Sequence, residues 1–130
     1  MRSRRQEAGS MIRHFKDLEV YKLSYGLAME IFKLTRNFPK EEVYSLVSQS
    51  IRSSRSIPTN ISEGWSKRRH ENIFKRHLID AIGSVDETKS WLDFANDCGY
   101  ISLHTYQELV SRYEELGAKL YNLYENWKTF

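Results

Sequence analysis

Ser56-Ile57-Pro58-Thr59-Asn60-Ile61-Ser62-Glu63-Gly64 places a proline inside a run with helical apolar spacing. In a helix interior, proline removes a backbone donor and crowds the preceding turn, at a cost of about 3 kcal/mol. Upstream, Val43, Val47, Ile51, Ser54 and Ile57 recur every three or four residues, and Ile61 and Trp65 keep the same phase beyond Pro58. One helix kinked at Pro58 therefore fits better than two separate helices. Gly64 and Ser66 mark its end or the turn that follows.

The remainder of the chain reads in the same period. Asp17 is the expected N-cap of a first helix. Leu18, Tyr21, Tyr25, Ala28, Phe32, Thr35 and Phe38 form one stripe, and Val20, Leu23, Leu27, Ile31 and Leu34 form a second. Phe38-Pro39 ends that helix, because the residue before proline leaves the α region. Glu41 and Glu42 suit the positive end of the second helix. A third helix, over residues 70–97, carries Phe74, Leu78, Ala81, Val85, Thr88, Leu92 and Ala95, with Gly99 as its C′ residue. Ser102 caps a fourth, with Ile101 placed to staple onto Tyr106. Its stripe is Leu103, Tyr106, Val110, Tyr113, Leu116, Leu120, Leu123 and Trp127. Helices of about 22–27 residues at 1.5 Å per residue, joined by short links, predict an all-α, antiparallel up-down-up-down four-helix bundle. No strand pattern competes.

Two prolines and six glycines in 130 residues favour long regular elements. Residues 1–12 are expected to be a flexible tail, with Gly9-Ser10 before Met11 reading as a vector-derived scar or an upstream start; residues 13–130 make the single bundle domain. No apolar run approaches the roughly 20 residues that span a bilayer, and the N-terminus lacks the apolar stretch of a secretory signal, so no membrane association is expected. The single cysteine, Cys98, points to a cytoplasmic setting and reads as a small core residue.

The net charge of +3 hides an asymmetry: residues 1–16 carry +4, 17–51 carry −1, 52–76 carry +5 and 77–130 carry −5. Arg52, Arg55, Lys67, Arg68, Arg69, Lys75 and Arg76 form the basic middle. They are the candidate contacts to nucleic acid or another partner, with Trp65 as a possible stacking ring. The competing reading pairs them with acids of a neighbouring copy, and self-association is slightly favoured.

Ser56, Asn60, Glu63 and Lys67 share a face at the Pro58 kink, and Ser56, Pro58, Asn60 and Glu63 are the candidate residues there. The favoured role is a structural polar network satisfying carbonyls released by Pro58, over a ligand site. His14, His70, His77 and His104 do not converge as metal ligands. The adjacent carboxylates Asp86-Glu87 and Glu114-Glu115 point to different sides of a helix and make no acid/base dyad. Phosphate loops and serine-nucleophile motifs are absent, so the expectation is no enzyme, no catalytic residues, no metal, no cofactor and no small-molecule substrate. Two apolar stripes on the first helix, and tyrosines in excess of one seam, favour a second buried surface made by another subunit. Ser50, Ser53, Ser54 and Ser56 allow close helix approach.

Asp17-Leu18-Glu19-Val20-Tyr21, the run Leu34 to Glu42, Ser48-Gln49, Arg52, the Ser56 to Gly64 segment, Phe74-Lys75, Ala81, Gly83-Ser84 and Glu87 together resemble the bacterial 23S rRNA-intervening-sequence protein family. The likeness spans about residues 12–127; the ordered set carries it, since no single motif is specific. The chain departs from the pattern before the third helix, where Lys67-Arg68-Arg69-His70 offers no hydroxyl cap. The family is similar to accessory proteins of diversity-generating retroelements. The resemblance implies a four-helix bundle, a homo-oligomer (a pentamer), and RNA, DNA or a reverse-transcriptase-like protein as partner. It supplies no catalytic residue.

Overall fold

A computed structural model describes residues 12–128. The positions 1–11 of the expected tail lie outside the described residues. The described residues form four α-helices: α1 (Glu19–Thr35), α2 (Ser48–Ser66), α3 (Glu71–Asp97) and α4 (Leu103–Asn126). No strand occurs among the described residues.

The start of α1 corrects one expectation. Asp17 is not the N-cap of the long helix; it closes a short 3₁₀ turn, Phe15–Asp17, capped by His14. Asp17 Oδ2 accepts the Arg13 and His14 backbone N–H groups, each at 3.1 Å, which holds its carboxyl below the usual carboxylate value. Leu18 then turns the chain into α1 from an extended conformation. α1 stops at Thr35 and is shorter than expected, because Phe38 folds back into a small core with Leu46 and Ala95.

The second helix starts through irregular turns, a 3₁₀ turn at Lys40–Glu42 and a π turn at Val43–Val47. Glu42 caps the π turn, accepting from the Ser45 hydroxyl at 2.6 Å and the Tyr100 hydroxyl at 2.8 Å. α2 then runs through Pro58 without interruption. Proline leaves the i−4 carbonyl without its helical donor, and the next residues add donors to the neighbouring carbonyls. Thr59 Oγ1 bonds the Arg55 carbonyl at 2.9 Å, and Asn60 Nδ2 bonds the Ser56 carbonyl at 2.9 Å.

α3 ends in a Schellman motif: Gly99 takes φ 76°, its N–H bonds the Asn96 carbonyl at 3.0 Å, and the Tyr100 N–H bonds the Ala95 carbonyl at 2.9 Å. Cys98, the C-cap, is exposed, against the expectation of a core residue. Ala95 fills the apolar position on that last turn. Ser102 caps α4 by accepting the Thr105 N–H at 3.1 Å.

Cross-helix partners fix the arrangement. Between α2 and α3, Arg52 meets Glu87, Ser56 meets Ser84, Asn60 meets His77 and Trp65 meets Phe74, so the ladder climbs one helix as it descends the other. Asp93 with Tyr106 and Phe74 with Trp127 relate α3 and α4 in the same way, as do Glu19 with Lys119 and Glu30 with Arg112 for α1 and α4. The core holds Leu27, Ile31, Ile57, Ile61, Phe74, Leu78, Tyr113, Leu116 and Leu120.

Candidate nucleic-acid and partner interface

The most polar seam in the bundle lies between α2 and α3. Small buried residues meet α3 here: Ser53 faces Thr88, and Gly64 faces His77 and Phe74. A β-carbon on Gly64 would lie 3.2 Å from the Phe74 ring, so the glycine reserves space for α3 inside the helix; it does not end it.

Two hydroxyls cross the seam in the dry interior, Ser53 Oγ and Thr88 Oγ1 at 2.8 Å. Thr88 Oγ1 also lies 2.8 Å from the Ser84 carbonyl, which can only accept. Ser53 Oγ also lies 3.4 Å from the Ser50 carbonyl; each hydroxyl has one proton, and the two shorter bonds are met together when Thr88 donates to Ser84 and Ser53 donates to Thr88. One turn along, Ser56 and Ser84 share a hydroxyl–hydroxyl bond. Farther along, His77 Nδ1 lies 3.1 Å from Asn60 Oδ1 and 3.9 Å from Glu63, which sits 3.7 Å from Lys67. Of the residues expected at Pro58, Ser56 and Asn60 bond across the seam to Ser84 and His77, and Glu63 lies at its exposed edge; their bonds go to the other helix and to the Ser56 carbonyl, not to the Ser54 carbonyl that Pro58 releases. Sequence reasoning weighed His77 only as a metal ligand and missed it here; the signal was its helical register with Ser84, seven residues on.

The seven basic candidates do not form one surface. Arg52 is paired with Glu87 and bonded to Gln49 Oε1, while Glu87 also accepts the Trp91 indole N–H at 3.1 Å. Arg55 projects to the α1 side, its guanidinium 5.5 Å from the centre of the Phe32 ring. The other five gather where α2 turns into α3. Lys67 sits beside Glu63, Lys75 lies 3.9 Å from Glu71 and over the Tyr124 ring, and Arg69 and Arg76 are exposed. Arg68 reaches back, its Nη1 donating to the Trp65 carbonyl at 2.9 Å while its guanidinium lies 4.2 Å from the Trp65 ring centre.

Trp65 is only 6% exposed, packed edge-on against Phe74 and Trp127 and covered by Arg68. It is a core residue and presents no free stacking face. His70, the N-cap of α3, makes no side-chain cap.

Topology sets the charge of the two ends. The end holding the start of α1, the α2–α3 turn and the end of α4 carries Arg13, Lys16, Lys22, Lys67, Arg68, Arg69, Lys75, Arg76, Lys119 and Lys128, against Asp17, Glu19, Glu63, Glu71 and Glu125. The opposite end carries Glu41, Glu42, Asp93, Asp97 and Glu108, against Lys33, Arg36 and Lys40. The bundle therefore has a basic end and an acidic end.

No group of three or more metal-ligating His, Cys, Asp or Glu side chains occurs among the described residues, and none of their helices is long and apolar enough to cross a membrane.

The 23S rRNA-intervening sequence protein family model matches residues 16–122. No curated protein matches the chain. A solved structure similar to it is that of a protein with unknown function from the S23 ribosomal protein family from Bacteroides thetaiotaomicron. The two share 24% identity and superpose with a TM-score of 0.75, over 82% of this chain and 96% of that one. At that identity the likeness shows a shared fold.

Proposed function

The chain belongs to the 23S rRNA-intervening sequence protein family, and from that premise we propose a non-enzymatic scaffold: a self-associating, cytoplasmic bundle that offers a basic end to an anionic partner. The observation carrying this reading is the basic end. Arg69 and Arg76 stand exposed there beside Lys67, Arg68 and Lys75. Bundles standing side by side in a symmetric homo-oligomer, a pentamer by the family resemblance, would gather these side chains into one basic face, with an effect well beyond that of a single copy. Nucleic acid, or an acidic region of a nucleic-acid-processing protein such as a reverse transcriptase, suits such a face. Neither the seam hydroxyls nor the paired carboxylates form a nucleophile–base arrangement, which supports a binding role.

A second reading, a purely structural oligomer, draws support from α1. Its aromatic stripe is left half uncovered, with Tyr25 and Met29 exposed.

Fluorescence anisotropy with a generic single-stranded RNA and the matching DNA tests the leading reading. Binding should weaken log-linearly with rising salt. The double variant Arg69→Ala/Arg76→Ala should bind more weakly with a shallower salt slope. Absence of binding at low salt, or binding indifferent to salt, overturns nucleic acid as the partner and leaves an acidic protein partner or the structural oligomer.

A further inference from the structure

The stripe of α1 that does not enter the core forms, with α2, a groove of about 300 Å³ lined by Tyr21, Tyr25, Met29, Arg55, Pro58 and Thr59 among others. Tyr25 is 53% exposed and Met29 38% exposed. At one end of the groove the Phe32 ring holds two guanidiniums, Arg36 at 5.8 Å and Arg55 at 5.5 Å from its centre. Ring attraction orients both cations, yet the ion pairs among the described residues all use other bases. Two like charges beside an apolar groove suit an occupant that brings carboxylates and a large apolar or aromatic side chain.

The outer face of α4 has that chemistry. Glu114, Ala118, Tyr121 and Glu125 recur at three- and four-residue spacing, so they form one stripe. Tyr121 is 54% exposed, and Ala118 between the acids leaves room for close approach. The bases of α4 do not neutralise this stripe: Arg112 turns back to Glu30 and Lys119 to Glu19, both on α1. Lys89 stands 4.0 Å from Glu114 and already lies beside Asp86.

We propose that the α1–α2 groove of one copy receives the Glu114–Glu125 stripe of α4 from a second copy, with Tyr121 seated in the groove and an acid of the stripe facing the end that holds Arg36 and Arg55. This rests on the proposed self-association and names its two faces. Groove and stripe are different surfaces, so a contact made once between two copies is heterologous. Each copy then has one donor and one acceptor face, and repetition closes a ring or extends a filament.

The experiment is sedimentation velocity on the full chain and two charge-reversed proteins, Arg36→Glu/Arg55→Glu and Glu114→Arg/Glu125→Arg, separately and mixed one to one. All four positions are on the surface, and circular dichroism checks that each variant stays folded. The wild type should assemble, each variant alone should assemble at least tenfold more weakly, and the mixture should regain assembly because one native groove–stripe pair is restored. Tyr25→Ser, which changes no charge, should also weaken assembly. A wild type that assembles while the groove variant assembles equally well overturns the groove, and a mixture that fails to recover overturns the α4 stripe as its occupant. A wild type that stays monomeric overturns the self-association reading together with this one.

Discussion

A β-carbon placed on Gly64 would lie 2.7 Å from the His77 β-carbon, closer than any real packing contact. The missing side chain of one helix is what lets the next lie against it. Gly64→Ala should therefore destabilise the fold by about 1–3 kcal/mol, the usual cost of overpacking, although alanine is the better helix former. Urea unfolding followed by circular dichroism checks the sign: a stabilised variant would mean that α2 and α3 are not in such close contact.

The buried hydroxyl chain makes a more selective forecast. Thr88→Val leaves Ser53 in the dry interior with only its longer bond to the Ser50 carbonyl, at 3.4 Å, and should cost about 1–3 kcal/mol. Adding Ser53→Ala to that variant should return part of the loss, since no weakly bonded donor remains. Strict additivity in the double-mutant cycle would show that the two hydroxyls do not interact.

Tyr113 is the opposite case. It is fully buried, its hydroxyl has no hydrogen-bond partner among the described residues, and burial pushes its phenol well above the ordinary value. Tyr113→Phe removes only the unsatisfied group and should raise stability by about 1 kcal/mol. A thermal melt showing clear destabilisation would reveal a partner for that hydroxyl.

The turn where α1 passes into α2 should be sensitive to pH. Hydrogen bonds from Ser45 and Tyr100 hold the Glu42 carboxyl below its ordinary value of 4.5, and the bond to Glu42 pushes the Tyr100 phenol up to about 12. A raised phenol stabilises fully below its unfolded value near 10 and loses that contribution as pH rises through about 12. A depressed carboxyl stabilises above 4.5 and loses its contribution as pH falls through the lowered value. The stability gap between wild type and Tyr100→Phe should thus be flat near neutrality and shrink at both extremes. A gap unchanged across the alkaline window would break the Glu42–Tyr100 link.

How much of this was legible in the sequence differs from helix to helix. All seven stripe positions of α3, from Phe74 to Ala95, are buried, because that helix packs along one narrow face and its polar residues leave a single phase. The Gly99 stop and the Ser102 cap were also readable, since each depends on one residue and its neighbours. α1 was ambiguous: Tyr21, Tyr25 and Phe32 have the same period as Val20, Leu27 and Ile31, and periodicity cannot say which stripe the other helices cover. The structure buries Val20, Leu27 and Ile31 of one stripe and Leu18, Ala28, Thr35 and Phe38 of the other, half-buries Leu23 and Leu34, and leaves Tyr25 outside. Leu109, absent from the α4 stripe as read, is buried. The irregular turns before α2 depend on Glu42 meeting Tyr100 across 58 positions, and local pattern carries no trace of such pairs. The basic candidates were found by composition, but composition could not show that Arg52 is paired with Glu87 or that Arg55 belongs to a different face.

Self-association underlies the proposed scaffold, and the mass of the particle in solution tests it most directly. Light scattering coupled to size-exclusion chromatography, at micromolar concentration and moderate salt, should give an integral multiple of the 15.5 kDa chain, five copies by the family resemblance. A single species of 15.5 kDa across that range would contradict the account.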